Sequence, residues 1–412
     1  MRSLYQIAIH LFILGMRIAS LFNKKIKKGI QGRKNWRNSL DDIPKDANVI
    51  WFHCASLGEF DQGLPVMSAL KKNTPNAFIL LTFFSPSGLN HYHKREHPVD
   101  LTIYLPFDTK SNARTFLKKT NPTLALFVKY EFWPNFISEC KRAKVKTFSI
   151  STLLRSSQVY FKWYGGFFAN VLKSIDHFFV QNAQTKELLD SIGVKQIEIS
   201  GDTRYDKVIQ HKNSSTPTDS VLSQFAAEGP ILIAGSSWEV EEKIIKKYLE
   251  SNTNTKVIIA PHNVSSNNIE RIQSLLDCPS VRYTKYEEYQ GNRVLILDTI
   301  GHLTSAYQYA DYALIGGGFS GNLHNILEPA VYGLPVFFGP RHQKFPEAQS
   351  FIDGGIGFVV ENAEQLSEKI KALGNQDELK EKIEVFMQSQ SGATEKIVNH
   401  SFITNALNII EK

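Results

Sequence analysis

The sequence YALIGGGF, at Tyr312–Phe319, joins a short apolar run to three consecutive glycines. An apolar run bounded by turn residues predicts a buried parallel strand, so the glycines lie at its carboxyl end. Glycine has no Cβ, and its backbone can therefore adopt positive φ and approach a ligand closely. Further along, LHNILEPA at Leu323–Ala330 places Glu328 and Pro329 where a helix is predicted to begin.

A glycine loop ahead of such a carboxylate is typical of a nucleotide site. The backbone at Gly316, Gly317 and Gly318 can approach a phosphate closely, and the following helix can point free N–H groups at that phosphate. Glu328 can accept from two ribose hydroxyls. The alternative is a tight turn followed by an ordinary helix-start Glu, because glycine motifs alone have many false positives. The position of Glu328 at the predicted helix start favours the ligand interpretation.

Composition indicates a globular chain with room for two domains. The 412 residues are 42% hydrophobic and 21% charged. Cys54, Cys140 and Cys278 are widely separated and form no CxxC pair, which argues against a disulfide framework or a structural zinc site. We expect a reducing, cytosolic environment for the body of the protein.

The net charge of +7 comes from the N-terminal region. Residues 1–40 contain nine Lys and Arg and no acid, which leaves 38 basic and 40 acidic residues in the rest of the chain. A nucleic-acid groove would instead distribute basic and aromatic residues over a folded domain. We therefore predict no nucleic-acid partner.

The N-terminal region, residues 1–38, is predicted to be a membrane anchor followed by a basic segment. Leu4–Phe22 is mostly apolar, is interrupted by Gln6, His10 and Arg17, and is followed by the lysines of Lys24–Lys28. A span needs roughly 20 apolar residues, and a central Arg costs about 2.5–3.5 kcal/mol. Both a tilted transmembrane span and a half-buried interfacial helix fit this pattern. The charge follows the apolar run, which disfavours a cleaved signal peptide.

The remaining sequence alternates short apolar runs with helical-period segments, which is typical of βαβ units. The predicted strands are Val49–Phe52, Ala77–Phe83, Leu124–Val128, Lys146–Ile150 and His177–Val180, then Pro230–Ala234, Lys256–Ala260, Val294–Leu297, Tyr312–Ile315, Pro335–Phe338 and Phe358–Val360. The polar stretch Gln210–Ser223 separates the two groups. We predict an α/β fold with two Rossmann-like, doubly wound parallel-sheet domains facing a cleft, at 39–209 and 229–412, joined by a linker at 210–228.

Two carboxylates follow predicted strands of the first domain. Glu59 lies in SLGEF, Ser56–Phe60, where it can act as a general base on a sugar hydroxyl. A helix-start Glu that serves the helix dipole is the equal alternative. Glu131 lies in EFWPN and can orient an acceptor hydroxyl or protonate a leaving oxygen, whereas the alternative is a buried Glu that shapes the turn. His53 is interpreted as a packed strand-end histidine.

The ordered set of motifs resembles the 3-deoxy-D-manno-octulosonic acid (Kdo) transferases of lipopolysaccharide assembly, which are glycosyltransferases of the GT-B type. The resemblance covers essentially the whole chain. Besides the N-terminal anchor, it is carried by Ser56–Phe60, Leu105–Asp108, Glu131–Asn135, Gly201–Asp206, Ala234–Ser237, Asp298–Leu303, Gly316–Phe319, His324–Ala330 and Phe338–Pro340.

The resemblance implies inverting transfer of Kdo from CMP-Kdo to a tetraacylated lipid A precursor, lipid IVA. It places the enzyme at the cytoplasmic face of the inner membrane, with the anchor on anionic lipid. It implies Glu59 as general base and Glu131 as a further active-site carboxylate. No cofactor and no metal are expected, since the chain contains no Asp-x-Asp pair and CMP carries only one phosphate.

The resemblance also implies which residues contact the substrates. Departures from the family pattern occur at Arg204, where the family has lysine, and at His262, where many members have Pro-Arg-His. The implied donor-binding residues are Arg204, Gly235, Ser236, Ser237, His262, Gly316, Gly317, Gly318, Asn325 and Glu328, and the candidate acceptor-binding residues are Ser56, Gly58, Ser85 and Arg155.

Two other hypotheses remain. A GT-B glycosyltransferase that uses a UDP- or GDP-sugar would keep the fold and Glu328 but would lack the SLGEF and EFWPN pairing. A non-catalytic, membrane-bound lipid-binding protein would not need carboxylates at two strand ends.

Overall fold

The structure is a computed structural model that describes residues 1–214, 218–227 and 229–408. The chain divides into two compact units, Met1–Lys207 with Gln390–Lys412, and Val208–Ser389. The second unit therefore ends before the C terminus, which differs from the predicted domain at 229–412. The predicted linker at 210–228 contains helical segments, while residues 215–217 and 228 lie outside the described residues.

In the part of the chain that the structure describes, each unit contains one seven-stranded parallel sheet. The strand orders are β3-β2-β1-β4-β5-β6-β7 and β10-β11-β9-β8-β12-β13-β14. The strands are β1 Asn48–Cys54, β2 Ala77–Phe83, β3 Leu101–Tyr104, β4 Leu124–Val128, β5 Lys146–Thr152, β6 His177–Val180, β7 Ile197–Ile199, β8 Ile231–Ser237, β9 Lys256–Pro261, β10 Ser280–Arg282, β11 Val294–Ile296, β12 Tyr312–Ile315, β13 Val336–Phe338 and β14 Gly357–Val359.

Every predicted strand is present, and the prediction of two parallel-sheet α/β domains is confirmed. Three strands were missed: β3, β7 and β10. They have three or four residues, and none is buried along its whole length. An edge strand of this kind lacks the continuous apolar run by which a central parallel strand is recognised.

The helices follow the alternation that the sequence predicts. They are α1 Arg2–Ala19, α2 Lys24–Gly32, α3 Trp36–Ser39, α4 Leu57–Asn73, α5 Pro86–His91, α6 Lys110–Thr120, α7 Pro134–Arg142, α8 Gly166–Leu172, α9 Ala183–Ser191, α10 Thr203–Asn213, α11 Ser220–Phe225, α12 Glu239–Ser251, α13 Ser266–Leu275, α14 Leu303–Ala306, α15 Leu327–Ala330, α16 Pro346–Asp353, α17 Ala363–Lys371, α18 Gln376–Ser389, α19 Ala393–Val398 and α20 Ser401–Asn408.

The first sheet is covered on both faces, as a doubly wound sheet requires. Successive residues of β1 point to opposite faces, so Trp51 packs in one apolar layer and Phe52 in the other. Trp51 is fully buried, its ring centroid is 4.8 Å from that of Phe116, and its Nε1–H donates to Thr82 Oγ1 at 2.9 Å. β1 pairs with β4, with His53 opposite Phe127, so the loops that follow these two strands are neighbours.

The N-terminal helix α1 packs on the first unit through its polar residues. Tyr5 donates its hydroxyl to Asp108 Oδ2 at 2.6 Å, and Gln6 Nε2 donates to Asn135 Oδ1 at 2.7 Å. Among the described residues, no helix combines the length and the apolar character that crossing a bilayer needs. The predicted spanning anchor is therefore not supported, because residues that interrupt the apolar run, including Gln6, are used for packing.

The C-terminal segment belongs to the first unit for two physical reasons. Ile397 and Ile403 are fully buried in the same apolar layer as Phe179. In addition, the carboxylate of Asp206 accepts hydrogen bonds of 2.6 Å from the backbone N–H groups of Gly392 and Thr394. Sequence periodicity could not reveal these contacts, because they join residues almost two hundred positions apart.

The second unit brings three strand ends together. β12 lies between β8 and β13, and Ile315 is opposite both Gly235 and Phe338. Glycines therefore occur at or directly after the carboxyl ends of all three strands. Leu232 and Leu314 pack against Ile245 of α12 in the apolar layer on one face of this sheet.

Candidate functional site

The first carboxylate, Glu59, lies in the first turn of α4, after β1. Ser56 is the N-cap residue of α4, and its hydroxyl donates to Glu59 Oε2. Glu59 is only 9% exposed. A buried carboxylate held by its own N-cap residue has a defined orientation, which a general base needs.

The second carboxylate, Glu131, follows β4 in the neighbouring loop. Burial, and to a smaller extent the negative charge of Glu59, raise the pKa of Glu131 to about 7. Lys129 begins this loop with φ of +71°, which is unusual for a residue that has a side chain, and its N–H donates to Ile150 O at 2.9 Å. We name Glu59 and Glu131 the carboxylate pair.

Two tyrosines are affected by the charges of the carboxylate pair. Burial raises the pKa of Tyr130, and the charges of Glu59 and Glu131 raise it further, while the Arg155 guanidinium opposes them. Burial likewise raises the pKa of Tyr160, with a contribution from Glu131. The predicted residue Arg155 thus acts on Tyr130, the residue directly before Glu131. The sequence analysis missed both tyrosines, although Tyr130 directly precedes Glu131.

Trp133, in the Glu131 loop, is held by His53. Trp133 Nε1–H donates to His53 Nε2 at 3.1 Å, and His53 Nδ1 lies 3.0 Å from Thr82 Oγ1. Complete burial lowers the pKa of His53 to about 3, so its ring is neutral and can accept from the indole. The interpretation of His53 as a packed strand-end histidine is confirmed.

Asp108, in the matched segment Leu105–Asp108, supports the same region. Its carboxylate accepts from the backbone N–H groups of Asn135 and Phe136 at 3.0 Å, which satisfies the first turn of α7. Burial raises the pKa of Asp108 to about 6, although these hydrogen bonds and that from Tyr5 oppose the shift. Asp108 therefore fixes the start of the helix that directly follows Trp133.

The other predicted first-unit residues have local roles. Ser85 accepts from Ser87 N–H at 3.3 Å as the N-cap of α5, and Gly58 is exposed in the first turn of α4.

Arg204 Nη2 lies 2.6 Å from Asp202 Oδ2. Burial opposes ionisation of Asp202, but Arg204 outweighs it and lowers the pKa of that carboxyl. Arg204 belongs to the first unit, whereas the other predicted donor residues belong to the second.

The glycine loop, Gly316–Phe319, packs tightly on its own unit. A Cβ on Gly316 would lie 2.0 Å from Ser236 O, and one on Gly318 would lie 2.5 Å from Gly339 N. Gly317 has φ of +85°, and its N–H donates to Glu241 Oε1 at 2.9 Å. These glycines are therefore required by backbone packing itself. Within the described residues, the Gly318 N–H has no protein acceptor, so it can donate to a ligand.

A cavity of about 330 Å³ lies beside the glycine loop. It is lined by Trp238, Val240, Glu241, Gly317, Phe319, Ser320 and Asn322. The Trp238 ring stacks on the predicted donor residue His262 at 4.5 Å, and its Nε1–H donates to His324 Nε2 at 3.2 Å. The sequence analysis missed Trp238, whose signal was an aromatic residue directly after the predicted residue Ser237.

Glu328 lies in α15 with both carboxylate oxygens oriented by hydrogen bonds. Asn325 Nδ2 donates to Oε1 at 2.9 Å, and Thr304 Oγ1 donates to Oε2 at 3.2 Å. Each carboxylate oxygen keeps a further acceptor position. Gly235 is needed nearby, because its Cβ would lie 2.2 Å from the Tyr307 hydroxyl. The structure thus places the two predicted donor residues Asn325 and Glu328 in contact with each other.

Ser236 and Ser237 have different surroundings at the end of β8. Ser236, like Lys129, has a left-handed backbone conformation at a strand end, with φ of +52°. Ser237 is buried, and its hydroxyl donates to Glu242 Oε1 at 3.4 Å. Ser236 is the less buried of the two and keeps its side chain partly accessible.

Comparison with known protein families finds one matching family model. Residues 30–207 match the model described as 3-deoxy-D-manno-octulosonic-acid transferase (kdotransferase). A 3-deoxy-D-manno-octulosonic acid transferase of Chlamydophila psittaci is 28% identical over 335 residues, which cover 78% of this chain and 76% of the relative. The transferase of Aquifex aeolicus is 26% identical, with 79% of this chain and 86% of the relative covered.

Solved structures support the fold. The UDP-GlcNAc 2-epimerase of Neisseria meningitidis, bound to UDP-GlcNAc, superposes with a TM-score of 0.59 over 88% of this chain and 98% of that one. Sequence identity is 16%, so the likeness concerns the fold and not the reaction.

Proposed function

We propose that the chain is a 3-deoxy-D-manno-octulosonic acid transferase that transfers Kdo from CMP-Kdo to a tetraacylated lipid A precursor, because residues 30–207 match that family model and transferases of that name are 28% and 26% identical to it. The observation that carries the proposal is the carboxylate pair, in which Glu131 has a pKa of about 7 beside the buried Glu59. Paired carboxyls with a displaced pKa are typical of acid–base sites.

In the proposed reaction, Glu59 accepts the proton of a glucosamine hydroxyl. The resulting oxygen nucleophile forms a bond to the anomeric carbon of Kdo as the bond from that carbon to the phosphate oxygen of CMP breaks. Attack on the face opposite the leaving group inverts the configuration. General-base assistance of this kind contributes about 10²–10⁴ in rate.

Glu131 controls the charge beside Glu59. At neutral pH about half of the Glu131 carboxyl is protonated, since its pKa is about 7. Both the carboxylate of Kdo and the phosphate of CMP are negative, so a second full negative charge would repel the donor. Arg155, whose guanidinium acts on the neighbouring Tyr130, supplies a compensating positive charge.

The second unit supplies groups that match the nucleotide. Trp238 is 47% exposed and presents an indole to the cavity beside the glycine loop, where a pyrimidine can stack. The carboxylate of Glu328 can accept from the two ribose hydroxyls, and the Gly318 N–H can donate to the phosphate. CMP carries one phosphate, and we therefore expect transfer to proceed without a metal.

We further propose that α1 lies in the interface of an anionic membrane, at the cytoplasmic face of the inner membrane. Its outer stripe is more than half exposed and consists of apolar side chains with helical spacing, at Leu4, Ile7, Leu11, Leu14 and Ile18. The lysines of Lys24–Lys28 follow in α2. An apolar stripe with adjacent lysines suits an interfacial helix.

Sedimentation with lipid vesicles tests this location. The protein should sediment with vesicles that contain anionic lipid and less with purely zwitterionic ones. Leu11→Asp should reduce binding to both, and Lys24→Ala should reduce only the anionic preference. If the Leu11→Asp variant bound vesicles as strongly as the wild type does, that result would contradict the interfacial location.

The direct test of activity is the mass of the acceptor. Tetraacylated lipid A precursor, CMP-Kdo and the protein are incubated in detergent with excess chelator, and we expect the acceptor mass to rise by whole Kdo units. An unchanged acceptor beside intact CMP-Kdo would contradict the proposed reaction. Competition by CMP against UDP then separates this donor from another nucleotide-sugar.

A further inference from the structure

A separate cluster of metal-type ligands lies in the first unit, formed by His177, Glu198 and His400. One candidate ligand atom from each residue lies within 4.8 Å of the others. His177 begins β6, Glu198 is the middle residue of β7, and His400 directly precedes α20. The carboxylate pair follows the carboxyl ends of β1 and β4, whereas His177 is at the amino end of a parallel strand, so the cluster is remote from the proposed chemistry.

His177 is the most unusual member of this cluster. Its side chain is 5% exposed, and neither Nδ1 nor Nε2 has a hydrogen-bond partner within the described residues. Its ring instead contacts the rings of His400 and Phe179, at 4.5 and 4.6 Å. A buried polar group without a partner costs about 1–3 kcal/mol, so it requires an explanation.

The strand register explains why the three side chains meet. Residues 177 and 179 point to the same face of the sheet, and Phe179 is opposite Glu198 across the β6–β7 pair. Phe179 packs with Ile403 of α20 in one apolar layer, which brings His400 over this face. The ligand set therefore combines two strands and the C-terminal segment.

His400 and Glu198 already face each other. His400 Nε2 lies 3.4 Å from Glu198 Oε2, and His400 Nδ1 accepts from Phe402 N–H at 3.2 Å. With Nδ1 as acceptor, the neutral ring carries its proton on Nε2, so ligation through Nε2 requires the other tautomer, whose proton on Nδ1 displaces the Phe402 hydrogen bond. Glu198 is 38% exposed, which leaves an entry path for an ion.

We propose that His177, Glu198 and His400 bind a divalent transition-metal ion of the zinc class, which fastens the C-terminal segment to the edge of the first sheet. Two imidazoles and one carboxylate suit such an ion and leave a fourth position for water. Metal–ligand bonds of about 2.0–2.2 Å place tetrahedral ligand atoms about 3.3–3.6 Å apart, so the cluster must contract on binding. The partly exposed Glu198 can move for this purpose.

The test uses the full-length protein without an affinity tag, stripped with chelator and then titrated with Co²⁺ and Zn²⁺. We expect a visible Co²⁺ absorption band that saturates at one ion per chain, displacement of that band by Zn²⁺, and a Tm that rises with zinc concentration. These readouts do not depend on transferase activity, so failure of the proposed reaction would leave them unaffected.

Three variants and one control locate the ion. His177→Phe keeps a buried ring, and His400→Gln and Glu198→Gln change partly exposed side chains; each should weaken Co²⁺ binding by at least about 10-fold and remove the zinc-dependent rise in Tm. His93→Gln changes an exposed histidine of the same unit and should bind as the wild type does. Absence of the band in the wild type, or wild-type affinity in His177→Phe or His400→Gln, would overturn the proposal.

Discussion

The loops at the strand ends differ between the two units: buried side chains characterise the loops of the first unit, and close backbone packing characterises the glycine loop of the second. In the first unit, the loops after β1 and β4 carry buried side chains, and burial together with a neighbouring charge raises the pKa of Glu131 to about 7. In the second unit, the glycine loop is defined by backbone contacts, because a Cβ on Gly316 would meet Ser236 O at 2.0 Å. Burial and charge thus determine the protonation of the first loops, and close packing determines the shape of the glycine loop.

This difference predicts different consequences of substitution. An isosteric change of a carboxylate in the first unit removes chemistry and leaves the fold intact. Addition of a single methyl group in the glycine loop disturbs the fold and reduces binding as a consequence. The two kinds of effect can be separated by measurement of turnover, donor binding and stability on the same variants.

The largest effect is expected from Glu59→Gln. Loss of the general base should lower kcat by about 10²–10⁴-fold, while CMP-Kdo binding and Tm change little. Rates are measured from acceptor mass, and binding by calorimetry. Glu187→Gln, at an exposed position of α9, is the matched control and should keep the wild-type rate. A Glu59→Gln protein that retains most of its rate would remove Glu59 from the mechanism.

The next effect concerns pH and Glu131. The folded pKa of about 7 is above the ordinary glutamate pKa of 4.5, so the folded state binds more protons and stability is lost as pH rises between these values. The loss should reach about 2–3 kcal/mol by pH 7. Glu131→Gln should flatten this part of the stability profile in denaturant titrations. An unchanged pH slope in the variant would show that Glu131 is not the responsible group.

In the second unit, Gly316→Ala should act through stability. The added Cβ has no space against Ser236 O, and overpacking of this kind costs about 1–3 kcal/mol or more. Gly15→Ala is the control, because no atom lies within 4 Å of the added Cβ and Ala is the better helix former. Chemical denaturation should show loss for the first variant and no loss for the second. Equal stability of the two variants would contradict the packing argument.

The smallest expected effect is at Trp238. Removal of a base-stacking partner costs about 1–3 kcal/mol, so Trp238→Ala should weaken CMP binding by about 5–150-fold without a large change in Tm. Trp163, which is 96% exposed, provides the control, and Trp163→Ala should bind CMP normally. If both variants bind CMP as the wild type does, the nucleotide base lies elsewhere.

Periodicity predicted the central strands but not the edges or the ends of the fold. A run such as Leu124–Val128 is apolar throughout because both faces of its sheet are covered, and β4 has those bounds. The edge strands β3, β7 and β10 lack this signal. The lysines of the N-terminal region and its apolar run predicted an anchor, yet Tyr5 and Gln6 pack on the first unit, and the expected span is not supported.

Some features of the candidate sites could likewise be predicted from the sequence, and others could not. The positions of Glu59, Glu131 and Glu328 after strands are visible in the sequence, because strand ends and helix starts leave local signals. Sequence could not show that Trp133 rests on His53, or that Trp238 lies beside the glycine loop. Those relations join residues distant in the chain, and only packing establishes them.

The sequence by itself therefore determined the alternation of strands and helices, the two parallel sheets and the carboxylates at strand ends, since these depend on local periodicity and turn chemistry. The tertiary structure alone decided the pKa of Glu131, the close packing of the glycines, the return of the C-terminal segment to the first unit and the meeting of His177 with His400. Each of these depends on burial and on distances between residues remote in sequence, for which no local pattern carries a signal.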